Sequence, residues 1–116
     1  MNYQGKFFQF AFFFTLLVIE YLATTTLQIK PLEHSWDKAN HFIAFFTLYI
    51  LLSLAFKQLT TKIKIILLLL YGIQIEIVQS FIPNREFSLL DVVADSIGII
   101  IGILIFQMVT KIFHTK

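Results

Sequence analysis

The chain has 116 residues, of which 58% are hydrophobic and 14% charged, with a net charge of +2 and no cysteine. Soluble domains are nearer half apolar and a quarter charged, so this composition points to lipid as the surrounding solvent and to one domain spanning residues 1–116. The missing cysteines exclude a disulfide frame, a thiolate metal site and a cysteine nucleophile; the basic residues are interleaved with apolar runs, which excludes nucleic acid as a partner.

Four apolar runs follow in chain order, at residues 7–27, about 40–56, 63–82 and 89–110. Each approaches the roughly 20 residues that cross a bilayer core as a helix, and lipid tolerates no unpaired backbone, so helix is the required state. The expectation is an all-α integral membrane bundle of four transmembrane helices. The first run is interrupted by Gln9 and Glu20 and has no small-residue cleavage site after it, so it reads as a helix of the bundle and not as a removed leader. Its phenylalanines Phe7, Phe8, Phe10, Phe12, Phe13 and Phe14 read as lipid-facing bulk. The second run reaches full length only if its helix begins near Asp37, just beyond Trp36, an interfacial anchor, in the loop that holds Pro31. Pro83 marks the end of the third helix, and Ser88 is the expected N-cap of the fourth.

An even number of spans puts both termini on one side. Lys6, Lys57, Lys62, Lys64, Lys111 and Lys116 fall on that side, and Lys30, Lys38 and Arg85 on the other. The bias favours cytoplasmic termini and a multi-pass protein of the bacterial inner membrane. The loops after the first and third helices then face outward.

The polar residues gather at that outer end. Asp37, Lys38, Asn40 and His41 open the second helix, with Asp37 and His41 on one face. Glu76 and Gln79 share a stripe with Gly72 near the end of the third helix, and Asp91, Asp95, Gly98 and Gly102 form a stripe on the fourth. At about 1.5 Å per residue, Glu20, Glu76 and Asp95 all lie roughly 9–10 Å below the outer boundary. The inner ends are expected to contribute no polar group to the bundle. Ionised groups cost about 2.5–3.5 kcal/mol each at mid-bilayer, so these should turn inward, pair or take up protons. Arg85 is the natural carboxylate partner, with Lys38 and His41 as further donors.

Two readings compete. One is interhelical glue, with polar contacts only holding a bundle together. The other, favoured because the groups collect at one end, is a functional pocket of Asp37, Lys38, His41, Glu76, Gln79, Arg85, Asp91 and Asp95. Gly98 and Gly102, extended by Ala94, form a small-residue stripe for close helix packing, within the bundle in preference to between copies. His41, Glu76, Asp91 and Asp95 suit a metal by ligand type, but no spaced metal motif accompanies them, so no metal and no cofactor is expected. Asp91 with Asp95 suits acid/base work, yet no serine elbow, phosphate loop or HExxH pattern is present, and no catalytic residue is assigned.

The stretches "DKANHFIAFFTL" and "EIVQSFIPNREFSLLDVVADSIGIIIG", together with the four-helix layout, resemble the VanZ-like family. The positions that match are Asp37, Lys38, His41, Phe42, Glu76, Gln79, Arg85, Asp91, Gly98 and Gly102. One departure is Asp95, where the family usually carries asparagine. An amide both donates and accepts, whereas a carboxyl group does so only when protonated. The family is named for an accessory membrane protein associated with teicoplanin resistance. The resemblance implies an inner-membrane protein with an outward-facing polar site and a cell-envelope role, with lipids and an envelope precursor or glycopeptide as partners. It supplies neither a reaction nor an oligomeric state. An enzyme acting on a lipid-linked or glycan headgroup, through His41, Glu76 or Asp91, is the main alternative. A small transporter fits less well, for want of a polar path at the inner ends.

Overall fold

The computed structural model describes residues 3–24, 35–82 and 87–114, with side chains described for 5–24, 39–82 and 87–113. These residues form four helices: α1 (Tyr3–Thr24), α2 (Ser35–Ala55), α3 (Thr61–Gln79) and α4 (Leu89–His114). All the secondary structure described is helical, as expected for an all-α bundle. α2 starts at Ser35, early enough to bring its apolar run to full length. α3 ends at Gln79, ahead of Pro83, which lies outside the described residues.

The turns are set by short-range capping. Thr60 caps α3 by accepting the Ile63 N–H at 3.3 Å. Ser88 caps α4 as expected, its hydroxyl accepting the Asp91 N–H at 3.3 Å. Short connections make sequence neighbours antiparallel, so α1 runs alongside α3 and α2 alongside α4.

α2 is the centre of the bundle. Its Phe45, Leu48, Tyr49 and Leu52 are fully enclosed, recurring at the three- and four-residue steps of one helix face. The broadest interface lies between α2 and α4, followed by α1 on α2. Gly98 and Gly102 make the first of these possible. A methyl group on Gly98 would collide with the Phe42 carbonyl oxygen, and one on Gly102 would come within 3.0 Å of Tyr49 Cβ. The small-residue stripe therefore packs within the bundle.

α1 lies at the periphery. It is held by Gln9 to the Ala55 carbonyl at 3.3 Å, and by Leu16 and Ala23 carbonyls that accept Tyr71 Oη at 2.6 Å and Gln79 Nε2 at 2.9 Å. Phe7, Phe10, Phe13 and Phe14 are exposed as expected, but Phe12 is buried edge-on against Phe56 and Phe8 packs on the core. The expectation of six lipid-facing rings fails at those two, because they fall on the stripe shared with Leu16, Ile19 and Ala23.

Two helical stretches, Gly5–Thr24 and Leu89–Phe113, are long and apolar enough to cross a membrane, and Ala39–Ala55 is a shorter apolar helix. Only 6% and 28% of the two long stretches is buried in the bundle. Their apolar surface therefore faces outward, unlike the core helix of a water-soluble domain.

The end expected to face inward is not devoid of polar groups, contrary to expectation. Lys64 is buried there, its ammonium donating to Ser53 Oγ at 2.8 Å and lying 4.9 Å from the Tyr49 ring centre and 5.4 Å from that of Phe106. Lys64 sits four residues before Leu68 and eight before Gly72, on the buried stripe of α3. Lys64→Met is expected to lower stability by about 1–2 kcal/mol, through loss of a charge-assisted hydrogen bond and a cation–π contact. Lys64→Ala should cost more, since it also leaves a void. Thermal unfolding in detergent measures the difference; equal melting temperatures for both variants and the parent would dismiss this contact as a contributor to stability.

Candidate functional site

One end of the bundle, where α2 and α4 begin and α3 ends, holds four buried ionisable side chains: His41, Glu76, Asp91 and Asp95. Each is delivered by helix periodicity. Asp91 and Asp95 are one turn apart on the face of α4 that meets α2. They address opposite sides of one imidazole. Asp95 Oδ1 lies 2.8 Å from His41 Nδ1, and Asp91 Oδ2 lies 3.4 Å from His41 Nε2. Glu76, from the last turn of α3, brings Oε2 to 3.8 Å from the same Nε2.

The state of the ring depends on the ionisation of Asp95. An ionised Asp95 can only accept, so Nδ1 carries the proton in that bond. In neutral His41, Nε2 is then an acceptor, and any ionised carboxylate oxygen it faces is an acceptor too. Such a meeting of lone pairs is stable only with a proton or a cation among them. Glu76 is oriented by the turn beyond it: its Oε1 accepts the backbone N–H of Ser88 at 2.9 Å. That N–H belongs to the cap residue of α4, so the carboxylate also sits at the positive end of that helix. Its Oε2 is buried and has no hydrogen-bond partner among the described residues.

Gly72 completes the arrangement from α3. A Cβ there would come within 2.6 Å of Asp95 Oδ2 and 3.2 Å of the Phe45 ring. The absence of a side chain lets the Asp95 carboxylate rest against the α3 backbone while it holds His41. No sequence signal marked Gly72 for this role beyond its place on the Glu76 stripe.

The structure brings together His41, Glu76, Asp91 and Asp95 from the expected set. Gln79 is buried on the same stripe of α3 but turns to the Ala23 carbonyl, so it ties α3 to α1 and not to the acids. Glu20, expected in the same polar layer, meets Gln74 Nε2 at 3.0 Å in the α1–α3 contact and is separate from the histidine cluster. The side chains of Asp37 and Lys38 and the whole of Arg85 lie outside the described residues. Among the described residues, the tie between α3 and α4 at this end is made by Glu76 on Ser88.

An open cleft lies at the opposite end of the bundle, lined by Gly5, Lys6, Gln9, Leu54, Ala55, Lys57 and Gln58. No acid and no histidine is among its lining residues.

A family model described as VanZ/LLP1 matches residues 2–111. No curated protein and no solved structure matches the chain.

Proposed function

The chain belongs to the VanZ/LLP1 family, and from that membership and the buried histidine–carboxylate cluster we propose a multi-pass protein of the bacterial cytoplasmic membrane that binds a cell-envelope component at its outer face. The observation that carries this reading is the convergence of His41, Glu76, Asp91 and Asp95 from three helices at one end of the bundle. Polar groups that served only as glue would have no reason to collect at a single level. A cluster rich in carboxylate oxygens suits ligands that present hydroxyl, amide or ammonium donors. The glycan portion of an envelope lipid and an amphiphilic glycopeptide both offer such groups.

The orientation rests on lysine distribution, six against three in favour of cytoplasmic termini. The cysteine-free sequence makes this simple to check. Phe81 is 82% exposed in the turn after α3, and Gln58 is exposed in the turn after α2. In intact cells, Phe81→Cys should react with an impermeant thiol reagent and Gln58→Cys should not. The reverse pattern would invert the protein.

A second reading is supported by the His41–Asp95 hydrogen bond. A carboxylate on Nδ1 fixes the tautomer and leaves Nε2 for proton transfer, the relation used by acid/base histidines. On this reading the protein is a membrane enzyme acting on a lipid-linked or glycan headgroup. Profiling of lipids and peptidoglycan precursors in a deletion strain and its parent tests both. A binder leaves the species unchanged while altering sensitivity to envelope-directed antibiotics; an enzyme shifts a substrate–product pair. The absence of both changes would remove the envelope role.

A further inference from the structure

We propose that His41, Glu76 and Asp91 form a binding site for one divalent cation of the zinc type, with Asp95 as the positioning residue behind His41. The donors were not expected to act this way from the sequence, because they stand at positions 41, 76 and 91 and follow no local spacing. The fold brings a ring nitrogen of His41 and a carboxylate oxygen each of Glu76 and Asp91 within 4.8 Å of one another.

The distances suit a metal better than they suit hydrogen bonds. His41 Nε2 lies 3.4 Å from Asp91 Oδ2 and 3.8 Å from Glu76 Oε2, beyond the usual N–H···O range of about 2.7–3.2 Å. Ligands about 2.0–2.2 Å from a tetrahedral zinc stand roughly 3.3–3.6 Å from each other. The two His41 pairs are near that spacing, and with all three donors within 4.8 Å of one another, shifts of up to about an ångström would close the shell.

Two further features point inward to a cation. The first is Glu76, whose side chain is 0% exposed. One oxygen is fixed by the Ser88 N–H, and the other is aimed into the cluster with no hydrogen-bond partner among the described residues. The second is the bond from His41 Nδ1 to Asp95. A metal-bound histidine almost always gives its other N–H to a carboxylate or carbonyl, which fixes the tautomer and raises the basicity of the ligating nitrogen. Nitrogen and carboxylate donors together favour zinc or manganese over calcium or magnesium. Three protein ligands also leave a coordination position for water or for an oxygen of a bound molecule.

The test reads the metal itself, so it stands or falls separately from the envelope function. The full chain is purified in detergent through a tag without histidine, stripped with a chelator, equilibrated with zinc chloride and freed of excess metal by gel filtration. About one zinc per chain is expected by elemental analysis, with a raised melting temperature. Glu76→Gln and Asp91→Asn should each weaken binding by more than tenfold. Asp95→Asn, whose amide oxygen still accepts from Nδ1, should weaken it by about tenfold or less, because Asp95 acts only through the orientation and basicity of the His41 ring. The change Gln58→Ala, in the cleft at the opposite end of the bundle, should leave it intact. Cobalt substitution of the unmodified chain gives a readout that needs no variant: an intense visible spectrum typical of tetrahedral coordination is expected. Failure of the parent chain to retain zinc or manganese would overturn the proposal, and so would a Glu76→Gln/Asp91→Asn double variant that binds as the parent does. In that event a protonated His41 is what separates the acids.

Discussion

Gly98→Leu is expected to prevent assembly of the bundle, whereas Ile100→Leu, two residues away, should be nearly silent. The first would drive a side chain into the α2 backbone, where even a methyl group meets the Phe42 carbonyl oxygen and comes within 3.1 Å of the Phe46 nitrogen. Overpacking a core usually costs about 1–3 kcal/mol when side chains can yield. Here the obstacle is backbone in the broadest interface of the bundle. Relief requires α2 and α4 to separate, with loss of the His41–Asp95 bond one turn away. The cost should therefore exceed about 3 kcal/mol. Ile100 is 55% exposed on the opposite face, where an isomeric apolar side chain changes little. Gly102→Ala should fall between them, since its nearest neighbour is the Tyr49 side chain at 3.0 Å. The readout is the monodisperse fraction and melting temperature in detergent. A Gly98→Leu variant that melts with the parent would show that α2 and α4 do not approach closely.

His41→Leu should be the most damaging change to the polar end. It removes a hydrogen-bond partner of Asp95 and leaves three carboxyl groups, from Glu76, Asp91 and Asp95, around an apolar side chain. Removing the hydrogen-bond partner of a buried polar group costs about 1–3 kcal/mol, and more where the group is charged, because it stays desolvated. The double variant His41→Leu/Asp95→Leu should regain a good part of that loss, since it removes the stranded charge as well. A coupling of about 1–3 kcal/mol between positions 41 and 95 is expected from the full cycle. Strict additivity would mean that the hydrogen bond contributes nothing. Asp95→Asn should be mild on its own. The amide oxygen replaces the carboxylate as acceptor from Nδ1.

Gly72 links the two arguments. Gly72→Ala would press on Asp95 Oδ2, the end of a short side chain already held by His41. Rotation of that carboxylate is less costly than a shift of backbone, so the fold should survive better than in Gly98→Leu while the cluster is disturbed.

Much of this molecule could be read along the chain. The four helices, the Ser88 cap, the inward glycine stripe and the gathering of His41, Glu76, Asp91 and Asp95 at one end all follow from local rules. Helical repeats place residues three and four apart on one face, and apolar length sets the spans. The sequence alone also determined that the ionisable groups had to turn inward, because their cost in lipid leaves no other arrangement. Pairing between helices was a different matter. It depends on the rotation of each helix about its axis and on its height against its neighbours, and neither is encoded in local spacing. Only the tertiary structure assigned Glu20 to Gln74, turned Gln79 toward α1, set Glu76 on the Ser88 N–H and enclosed Lys64 with Ser53. Phe8 and Phe12 turned inward for the same reason: a helix rich in phenylalanine carries almost no amphipathic contrast, so the face that meets the core is selected by packing against α2.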